Sequence, residues 1–378
     1  MIGIDVVRAV AALAVVVSHV RHCPDPGPGA PGTATWLTSV VQQSLGAWGV
    51  GLFFVLSGLC IHLPMARRSA ADPSAELALR PYFERRFVRI YPPHLVALVL
   101  SALLALALPA WSLAGSSLLS KPTSAQFGLH LAMVHSFVPS AISSINSVLW
   151  TIAVETHFYL LYPLLLAGSR RFGFVRMTAT LAVVSLLARG ISLDAPAWFG
   201  TIVKTNFICR LWEWSLGCCL AESLVARGAP RPTSLRSFVA LCVGSIAMSP
   251  VLRLGVRALL GVELGRMLGN ETVALVGPLV FAFVVVRACG LVQSRSAPFA
   301  ALVALGVASY SLYLFHPLAL ATWGWAFATL GLPHLAMALT AVPVAVVTSR
   351  VFFHTVERRF LARAATLGAP PPDRMPES

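Results

Sequence analysis

The segment IDVVRAVAALAVVVSHV, residues 4–20, decides the fold of this chain. Its apolar run is nearly as long as a helix that crosses the hydrocarbon core of a bilayer, about 20 residues. It lacks the basic start of a cleaved signal peptide and an A-x-A site followed by a soluble sequence, so we expect a membrane-spanning helix. The whole chain is similar, since 57% of its 378 residues are hydrophobic and only 11% are charged. Soluble domains carry about 25% charged residues. The composition therefore excludes a soluble enzyme, a disordered chain and a secreted disulfide scaffold.

Apolar stretches recur along the chain and predict an all-α integral membrane protein, with about ten transmembrane helices in one bundle. Long unbroken apolar runs exclude the strands of a membrane barrel. The segment 128–140 is apolar but too short to cross, so we expect it to be re-entrant or interfacial. The predicted helices are 3–20, 46–63, 91–109, 148–167, 177–192, 207–224, 237–251, 272–287, 300–320 and 332–353.

The positions of the basic residues predict which side each loop faces. The formal charge is +14, but a membrane protein keeps Lys and Arg in its cytoplasmic loops, so we expect no nucleic-acid partner. With a cytoplasmic N-terminus, nineteen Lys and Arg residues fall inside, six outside and three within spans. This bias predicts a multi-pass protein of the cell (cytoplasmic or inner) membrane with both termini cytoplasmic. The exception is 251–271, a predicted outer segment with three Arg residues.

The chain divides into a membrane domain, 1–360, and a tail, 361–378. The tail follows the last predicted span and should lie in the cytoplasm. Its end, GAPPPDRMPES (368–378), is rich in Pro and typical of a disordered segment.

The seven cysteines predict neither a metal site nor a disulfide framework. Six of them lie in apolar stretches, and no CxxC or Cys/His ligand spacing occurs. We expect them to be small core residues.

The first helix places two ionisable groups on one face. Arg8 and His19 are 11 residues apart, which brings them within about 20° of the same face and about 16 Å apart along the axis. An ionisable residue inside a span is a candidate functional group. The alternatives are an ion pair of Arg8 with Asp5, one turn away, and an interfacial position for His19.

Further polar groups occur in the fourth, sixth and ninth predicted helices. Glu155 has Tyr159 at i+4 on its face, and a structural ion pair with Arg210 or Arg189 is the alternative to a functional role. Arg210 also has Glu213 one turn further in. In the ninth helix Pro317 follows His316 and removes a backbone donor, which predicts either broken backbone lining a cavity or a simple kink.

On the predicted cytoplasmic side, RPYFERRFVRIYPP (80–93) concentrates arginine before the third helix. Arg86 and Arg89 are at i and i+3, a spacing that suits one phosphate. The alternative is ordinary topology and contact with lipid headgroups. In GVGLFF (49–54) we expect the glycines to allow close helix packing.

These elements, in this order, resemble the acyltransferase 3 family of multi-span membrane acyltransferases. The matching stretches extend over nearly the whole chain. They are DVVRAVAALAVVVSH (5–19), GVGLFFVLSG (49–58), RRFVRIYPP (85–93), LWTIAVETHFYLLYP (149–163), RLWEWSLGCCLA (210–221), LGVASYSLYLFHP (305–317) and TVERRF (355–360).

The resemblance implies a ten-helix core and transfer of an acyl group from acyl-CoA to a hydroxyl. It places the family's Arg-x10-His motif on Arg8 and His19, and its Arg-x-x-Arg motif, implicated in binding the CoA phosphates, on Arg86 and Arg89. Its Trp-x4-Glu element falls on Trp150 and Glu155. The chain departs from the family at His157, where Gln is frequent, and at Arg358, where Pro is frequent.

Geometry and resemblance together predict a membrane O-acyltransferase. Acyl-CoA, with acetyl expected, docks at Arg86 and Arg89, and His19 is the general base or, alternatively, an acylated nucleophile. We expect Glu155 to orient His19 or to stabilise its imidazolium, and Arg8 to hold helix one or to contact CoA. Arg210 or His316 is a candidate for the oxyanion. The substrate path is predicted to include Asp5, Trp150, Tyr159, Arg210 and His316.

The acceptor predicted by the resemblance is a carbohydrate or glycosylated molecule: a glycan, a lipid-linked sugar or a natural product. Membrane lipid is the other expected partner. The competing interpretation is a transporter or flippase that moves a polar lipid or sugar through the same polar path without a CoA site. A third is a non-catalytic sensor or scaffold.

Overall fold

The structure, a computed structural model, describes residues 2–20, 33–109, 118–193, 195–228, 230–294 and 296–367, with only the backbone for 33–40, 262, 263, 266 and 267. Within these ranges the chain is helical and contains no strand. The helices are α1 (Ile2–His19), α2 (Thr33–Ala71), α3 (Leu79–Ala107), α4 (Ser124–Leu131), α5 (Trp150–Phe172), α6 (Phe174–Ile191), α7 (Ala197–Thr205), α8 (Phe207–Arg227), α9 (Leu235–Leu260), α10 (Val262–Cys289), α11 (Ala297–Val307), α12 (Ser309–Thr329), α13 (His334–Phe352) and α14 (Arg358–Thr366).

A helix is present at each of the ten predicted positions, which confirms the all-α prediction. Seven of the described helices are long and apolar enough to cross a membrane, or eight if the bent pair α11 and α12 is one span. Polar groups such as Glu155 in α5 and Arg210 in α8 lower the mean hydropathy of these two helices, which fall outside that count. The number of helices that cross and the side of the termini therefore stay predictions.

The ninth predicted helix is broken, at a different place from the one expected. α11 and α12 meet at an angle of 81°. The break lies just before Ser309, whereas Pro317 lies inside α12. The backbone N–H of Ser311 donates to Oε2 of Glu357 at 2.9 Å, so a buried carboxylate satisfies a donor of the first turn of α12. Of the two alternatives predicted at Pro317, broken backbone is wrong, because α12 continues through this residue and the capped break comes earlier.

The segment between α3 and α5 contains only short helical elements. α4 starts with a capping box formed by Thr123 and Gln126, and a single 3₁₀ turn follows at His135–Phe137. Asn146 ties the segment to the bundle by donating to Oγ of Ser101 at 2.9 Å and to the carbonyl of Leu314 at 3.3 Å. This confirms that 128–140 is too short to cross, and its depth in a bilayer stays a prediction.

Two imidazoles of the same segment stack in the interior. The rings of His130 and His135 lie 3.7 Å apart between centroids and are nearly parallel. Both side chains are completely buried. Burial lowers the pKa of both imidazoles, that of His135 to about 3, and thereby favours the neutral form of each ring.

α1 is the central helix of the fold. It packs against α2, α10, α11, α12 and α13, and its residues are buried around most of its circumference. A Cβ at Gly49 of α2 would lie 2.6 Å from the carbonyl oxygen of Ala11, so only glycine permits this approach. The close packing predicted for the glycines of GVGLFF is confirmed.

The outward faces of the peripheral helices are apolar. Large side chains there are strongly exposed, among them Leu164 at 69%, Val175 at 75% and Leu339 at 70%. Exposed apolar area this extensive is a liability in water and fits lipid contact. Charged side chains such as Arg189 and Glu213 are instead buried inside. This arrangement, with several long apolar helices, shows a multi-pass membrane protein.

After α13 a π-helical turn, Phe353–Glu357, leads directly into α14. The helix therefore extends to Thr366, beyond the start of the predicted tail at 361. The Pro-rich end, 368–378, lies outside the described residues.

Candidate active site

Two cavities in the described part of the bundle are lined by most of the predicted site residues, whereas Asp5 and His316 line neither. The first, here called the arginine cavity, has a volume of about 250 Å³. Its polar lining consists of Arg8, Ser57, Cys60, Arg86, Arg89, Thr151, Glu155, Tyr159, Ser309, Tyr310 and Tyr313.

The second, here called the histidine cavity, has a volume of about 460 Å³ and contains His19. Trp150 and Arg210, both predicted to line the substrate path, lie in its wall. Its other charged lining residues are Arg189, Lys204, Glu213, Arg253 and Glu271.

The two cavities meet at Val50 and Tyr313, which line both. The hydroxyl of Tyr313 accepts a hydrogen bond from Thr151 at 2.8 Å. Its ring packs edge-on against Phe53 at 5.8 Å between centroids. Val50 and Tyr313 therefore lie where the cavities adjoin.

Arg8 and His19 line different cavities, although they lie on one face of α1 as predicted. Nη1 of Arg8 lies 3.4 Å from Oδ1 of Asp5, and Nη2 donates to the sulfur of Cys60 at 3.3 Å. The predicted Asp5–Arg8 pair is therefore confirmed. Asp5 lines neither cavity and contacts Arg8, which lines the arginine cavity.

Glu155 faces the arginine cavity with its own set of partners. Its Oε1 accepts hydrogen bonds from Ser57 at 2.6 Å and from the hydroxyl of Tyr159, the i+4 residue expected on its face. Ser57 accepts in turn from the indole of Trp214 at 3.2 Å. Neither Arg189 nor Arg210 pairs with Glu155 in the part of the chain that the structure describes.

Arg189 and Arg210 instead form ion pairs with other carboxylates. Nη1 of Arg210 lies 2.6 Å from Oε1 of Glu213, which confirms the pair expected from their spacing. Nη1 of Arg189 lies 3.0 Å from Glu271. Lys204 binds the other oxygen of Glu271, also at 3.0 Å.

Arg86 and Arg89 both face the arginine cavity, as a phosphate site requires. The guanidinium of Arg86 lies over the rings of Tyr82 and Tyr159, 5.9 and 5.8 Å from their centroids. Within the described ranges neither Arg86 nor Arg89 forms an ion pair with a carboxylate. With Arg8, the wall of this cavity contains three guanidinium groups and one carboxylate, that of Glu155. Its net positive charge attracts an anion.

His19 has a second imidazole beside it, from a residue remote in sequence. Its Nδ1 lies 2.8 Å from the carbonyl oxygen of Val15 and 3.4 Å from Nε2 of His316. His316 is completely buried, and its Nδ1 lies 3.1 Å from the carbonyl oxygen of Leu312. Because a carbonyl only accepts, we assign the proton of each neutral ring to Nδ1. The lone pair of His19 is then at Nε2.

Several residues of the site were not predicted from the sequence. Ser57, which joins Glu155 to Trp214, belongs to GVGLFFVLSG (49–58), and Tyr313, which lines both cavities, is a polar group of the ninth predicted helix, but the sequence assigns neither a role in the site. Glu271 lies at the edge of a predicted helix, and no spacing rule connects it with Arg189 or Lys204. The six described cysteines are unpaired, whereas Cys23 lies outside the described residues.

The fold and the two polar cavities define a multi-pass membrane protein with a polar interior. The family model described as an acyltransferase domain, Acyl_transf_3, matches residues 1–353. The chain therefore belongs to the acyltransferase 3 family. This confirms the resemblance inferred from the motifs.

Two kinds of curated relative support the same family. The chain is 30% identical over 161 residues to the acyltransferase MdmB of Streptomyces mycarofaciens, covering 42% of this chain and 37% of that protein. It is 25% identical over 340 residues to the O-acetyltransferase OatA of Staphylococcus aureus (strain NCTC 8325 / PS 47), covering 83% of this chain and 49% of that protein. The chain thus spans half or less of the length of these relatives. No solved structure matches it.

Proposed function

We propose that this protein is a membrane O-acyltransferase that moves an acetyl group from acetyl-CoA to a hydroxyl of a carbohydrate or glycosylated acceptor. The observation that carries the proposal is the meeting of the two cavities at Val50 and Tyr313. One cavity is suited to an anionic donor, and the other contains the imidazole needed to activate a hydroxyl. The relative named O-acetyltransferase OatA supports acetyl as the group and oxygen as its destination.

The donor enters the arginine cavity. Arg86 and Arg89 bind the phosphates of CoA, since guanidinium groups match phosphate oxygens and neither arginine forms an ion pair within the described residues. Arg8, anchored by Asp5, adds a third positive charge further along the cavity. The pantetheine arm then extends past Tyr313, so that the thioester reaches the neighbourhood of His19.

The acceptor enters the histidine cavity. Nε2 of His19 takes the proton of the acceptor hydroxyl as its oxygen attacks the thioester carbonyl. The carbon–sulfur bond then breaks, and the imidazolium returns the proton to the leaving thiolate of CoA. Arg210, in the same wall, stabilises the oxyanion of the tetrahedral intermediate. An acyl-histidine intermediate on His19 is the alternative route.

We assign the orientation of His19 to His316 rather than to Glu155. The lone pair on Nε2 of His316 faces Nδ1–H of His19 at 3.4 Å and favours the imidazolium that forms during transfer. Glu155 lies in the other cavity, bonded to Ser57 and Tyr159. We assign it the task of keeping this wall of the donor cavity in place.

The orientation in the membrane follows from the positive-inside rule. The arginine cavity faces the cytoplasm, where acyl-CoA is made, and the histidine cavity faces the outer side of the cell membrane. Family membership favours acyl transfer over the transporter interpretation, because the matching family model is that of an acyltransferase domain.

The first experiment asks whether the protein binds CoA. We expect CoA to raise the Tm of the purified protein in detergent, and pantetheine, which lacks the phosphates, to raise it less. CoA should also slow the alkylation of Cys60, in the wall of the arginine cavity, measured by mass spectrometry. Cys219, outside both cavities, is the internal control. No effect of CoA on Tm or on Cys60 would contradict the proposed donor.

A further inference from the structure

We propose that the histidine cavity recognises an acceptor saccharide that carries an anionic group, a carboxylate or a phosphate, and that Arg253 binds this group. The inference rests on the proposed acyl-transfer function, because the acceptor must enter the cavity that contains His19. It adds a substrate class and a binding residue that neither the motifs nor the family match supplies.

The first support is the charge of the cavity wall. Four cationic side chains line it, Arg189, Lys204, Arg210 and Arg253, against the carboxylates of Glu213 and Glu271. Arg189 and Lys204 share Glu271, and Arg210 takes Glu213. Among the residues whose side chains the structure describes, no carboxylate remains for Arg253. The wall therefore has a positive charge that a bound anion would neutralise.

The second support is the state of the Arg253 guanidinium. Its Nη1 makes one long hydrogen bond, 3.4 Å, to the hydroxyl of Ser44. Its Nε is buried and makes no hydrogen bond within the described residues. A buried donor without a partner costs free energy, and a carboxylate or phosphate accepts from the guanidinium fork through two parallel bonds. An anionic ligand would therefore accept hydrogen bonds from the guanidinium of Arg253, including its buried Nε.

The third support is topology. The segment 251–271 is the exception to the charge bias of the chain, because it places arginines on the predicted outer side. Arg253 belongs to this segment, yet it lines the histidine cavity from α9 and is half-buried. Binding of an anionic acceptor accounts for an arginine at a position where the topology rule disfavours one.

Uncharged polar groups in the same wall favour a saccharide over a simple anion. Gln42 and Asn270 add side-chain amides, which both donate to and accept from hydroxyl groups. Oε2 of Glu213 is buried and has no hydrogen-bond partner in the described part of the chain, so it can accept from a hydroxyl. The volume of about 460 Å³ lies within the range of small-molecule sites, about 300–1,000 Å³.

Matched pairs of acceptors test the proposal. The probes are p-nitrophenyl β-D-glucuronide against p-nitrophenyl β-D-glucoside, N-acetylmuramic acid against N-acetylglucosamine, and glucose 6-phosphate against glucose. For each we measure the Tm shift and the KM of acetyl transfer. In at least one pair, the anionic member should bind about tenfold more tightly. The acid pairs and the phosphate pair distinguish the two kinds of anion.

Variants connect the preference to one residue. Arg253→Gln should abolish the preference, Arg253→Lys should retain part of it, and neither should change the KM for acetyl-CoA. Arg236→Gln, an exposed arginine of the same helix, is the control. Equal affinities within every pair, or a preference that survives Arg253→Gln, would overturn the proposal. A protein that ignores CoA but prefers the anionic sugar would contradict the proposed function alone, since the Tm shift does not depend on the donor.

Discussion

Nε2 of His316 lies 3.4 Å from Nδ1 of His19, although the two residues are 297 positions apart in the sequence. His19 ends the central helix α1, and His316 lies in the middle of α12. Each ring also faces a carbonyl of its own helix, one turn earlier, through Nδ1. Two backbone contacts and one contact between the rings thus fix the orientation of the proposed base.

Replacement of His316 should slow the chemical step without weakening donor binding. His316→Leu removes the acceptor facing Nδ1–H of His19, and the loss of one hydrogen bond, about 1 kcal/mol, should reduce kcat by about three- to tenfold. The KM for acetyl-CoA should not change, because the donor binds in the arginine cavity. The exposed His334→Leu is the control. A rise in the KM for acetyl-CoA with an unchanged kcat would show that His316 does not position the base.

Replacement of Arg86 and Arg89 should weaken donor binding. A charge-assisted hydrogen bond contributes about 1.5–3 kcal/mol, so each substitution to Ala should raise the KM for acetyl-CoA at least about tenfold. The effect should shrink at high salt. Arg85→Ala is a matched control, because Arg85 is adjacent in sequence but lines neither cavity. If Arg85→Ala has the same effect, the arginines serve topology or lipid contact instead.

Glu357 should hold the start of α12, which carries Tyr310 and Tyr313. Its Oε2 accepts from both the backbone N–H and the hydroxyl of Ser311. Glu357→Ala leaves these buried donors unsatisfied and should lower the free energy of unfolding by about 1–3 kcal/mol. Glu357→Gln, which still accepts a hydrogen bond, should lower the free energy of unfolding less. Replacement of the exposed Arg358 by Ala should leave it unchanged. Equal Tm values for all three variants would exclude the capping role.

Gly58 should tolerate no side chain. A Cβ there would lie 1.9 Å from the backbone oxygen of Trp214, where α2 and α8 touch. Gly58→Ala should therefore force the helices apart and destabilise the protein by about 1–3 kcal/mol. Gly244→Ala is the control, because no atom lies within 4 Å of its added Cβ. In a helix interior this change should stabilise by about 0.5–1 kcal/mol. An increase in the Tm of Gly58→Ala like that of Gly244→Ala would contradict the close approach of α2 and α8 at Gly58.

The sequence predicts the features of this protein that depend on local pattern. Helix positions follow from apolar runs, and the Asp5–Arg8, Arg210–Glu213 and Glu155–Tyr159 contacts follow from helical spacing. Contacts between remote segments have no such signal. No rule of spacing connects His19 with His316 or Glu271 with Arg189, because these pairs depend on how the helices pack.

The break before Ser309 illustrates the same limit. Pro317 is visible in the sequence and was the natural place to expect a break, since proline removes a backbone donor. The break instead lies at the start of α12, where Glu357, in the π-helical turn after α13, accepts a hydrogen bond from the backbone N–H of Ser311. Only the tertiary structure brings this carboxylate to that position.

The most direct test of the proposed mechanism is acetyl transfer by the purified His19→Ala variant. The assay uses [¹⁴C]acetyl-CoA and the acceptor that the wild type acetylates best. The variant should transfer acetyl at least about a hundredfold more slowly than the wild type, because a general base contributes about that factor or more. CoA should still raise its Tm as in the wild type, because the arginine cavity is intact. Turnover near that of the wild type would contradict a role for His19 in the reaction.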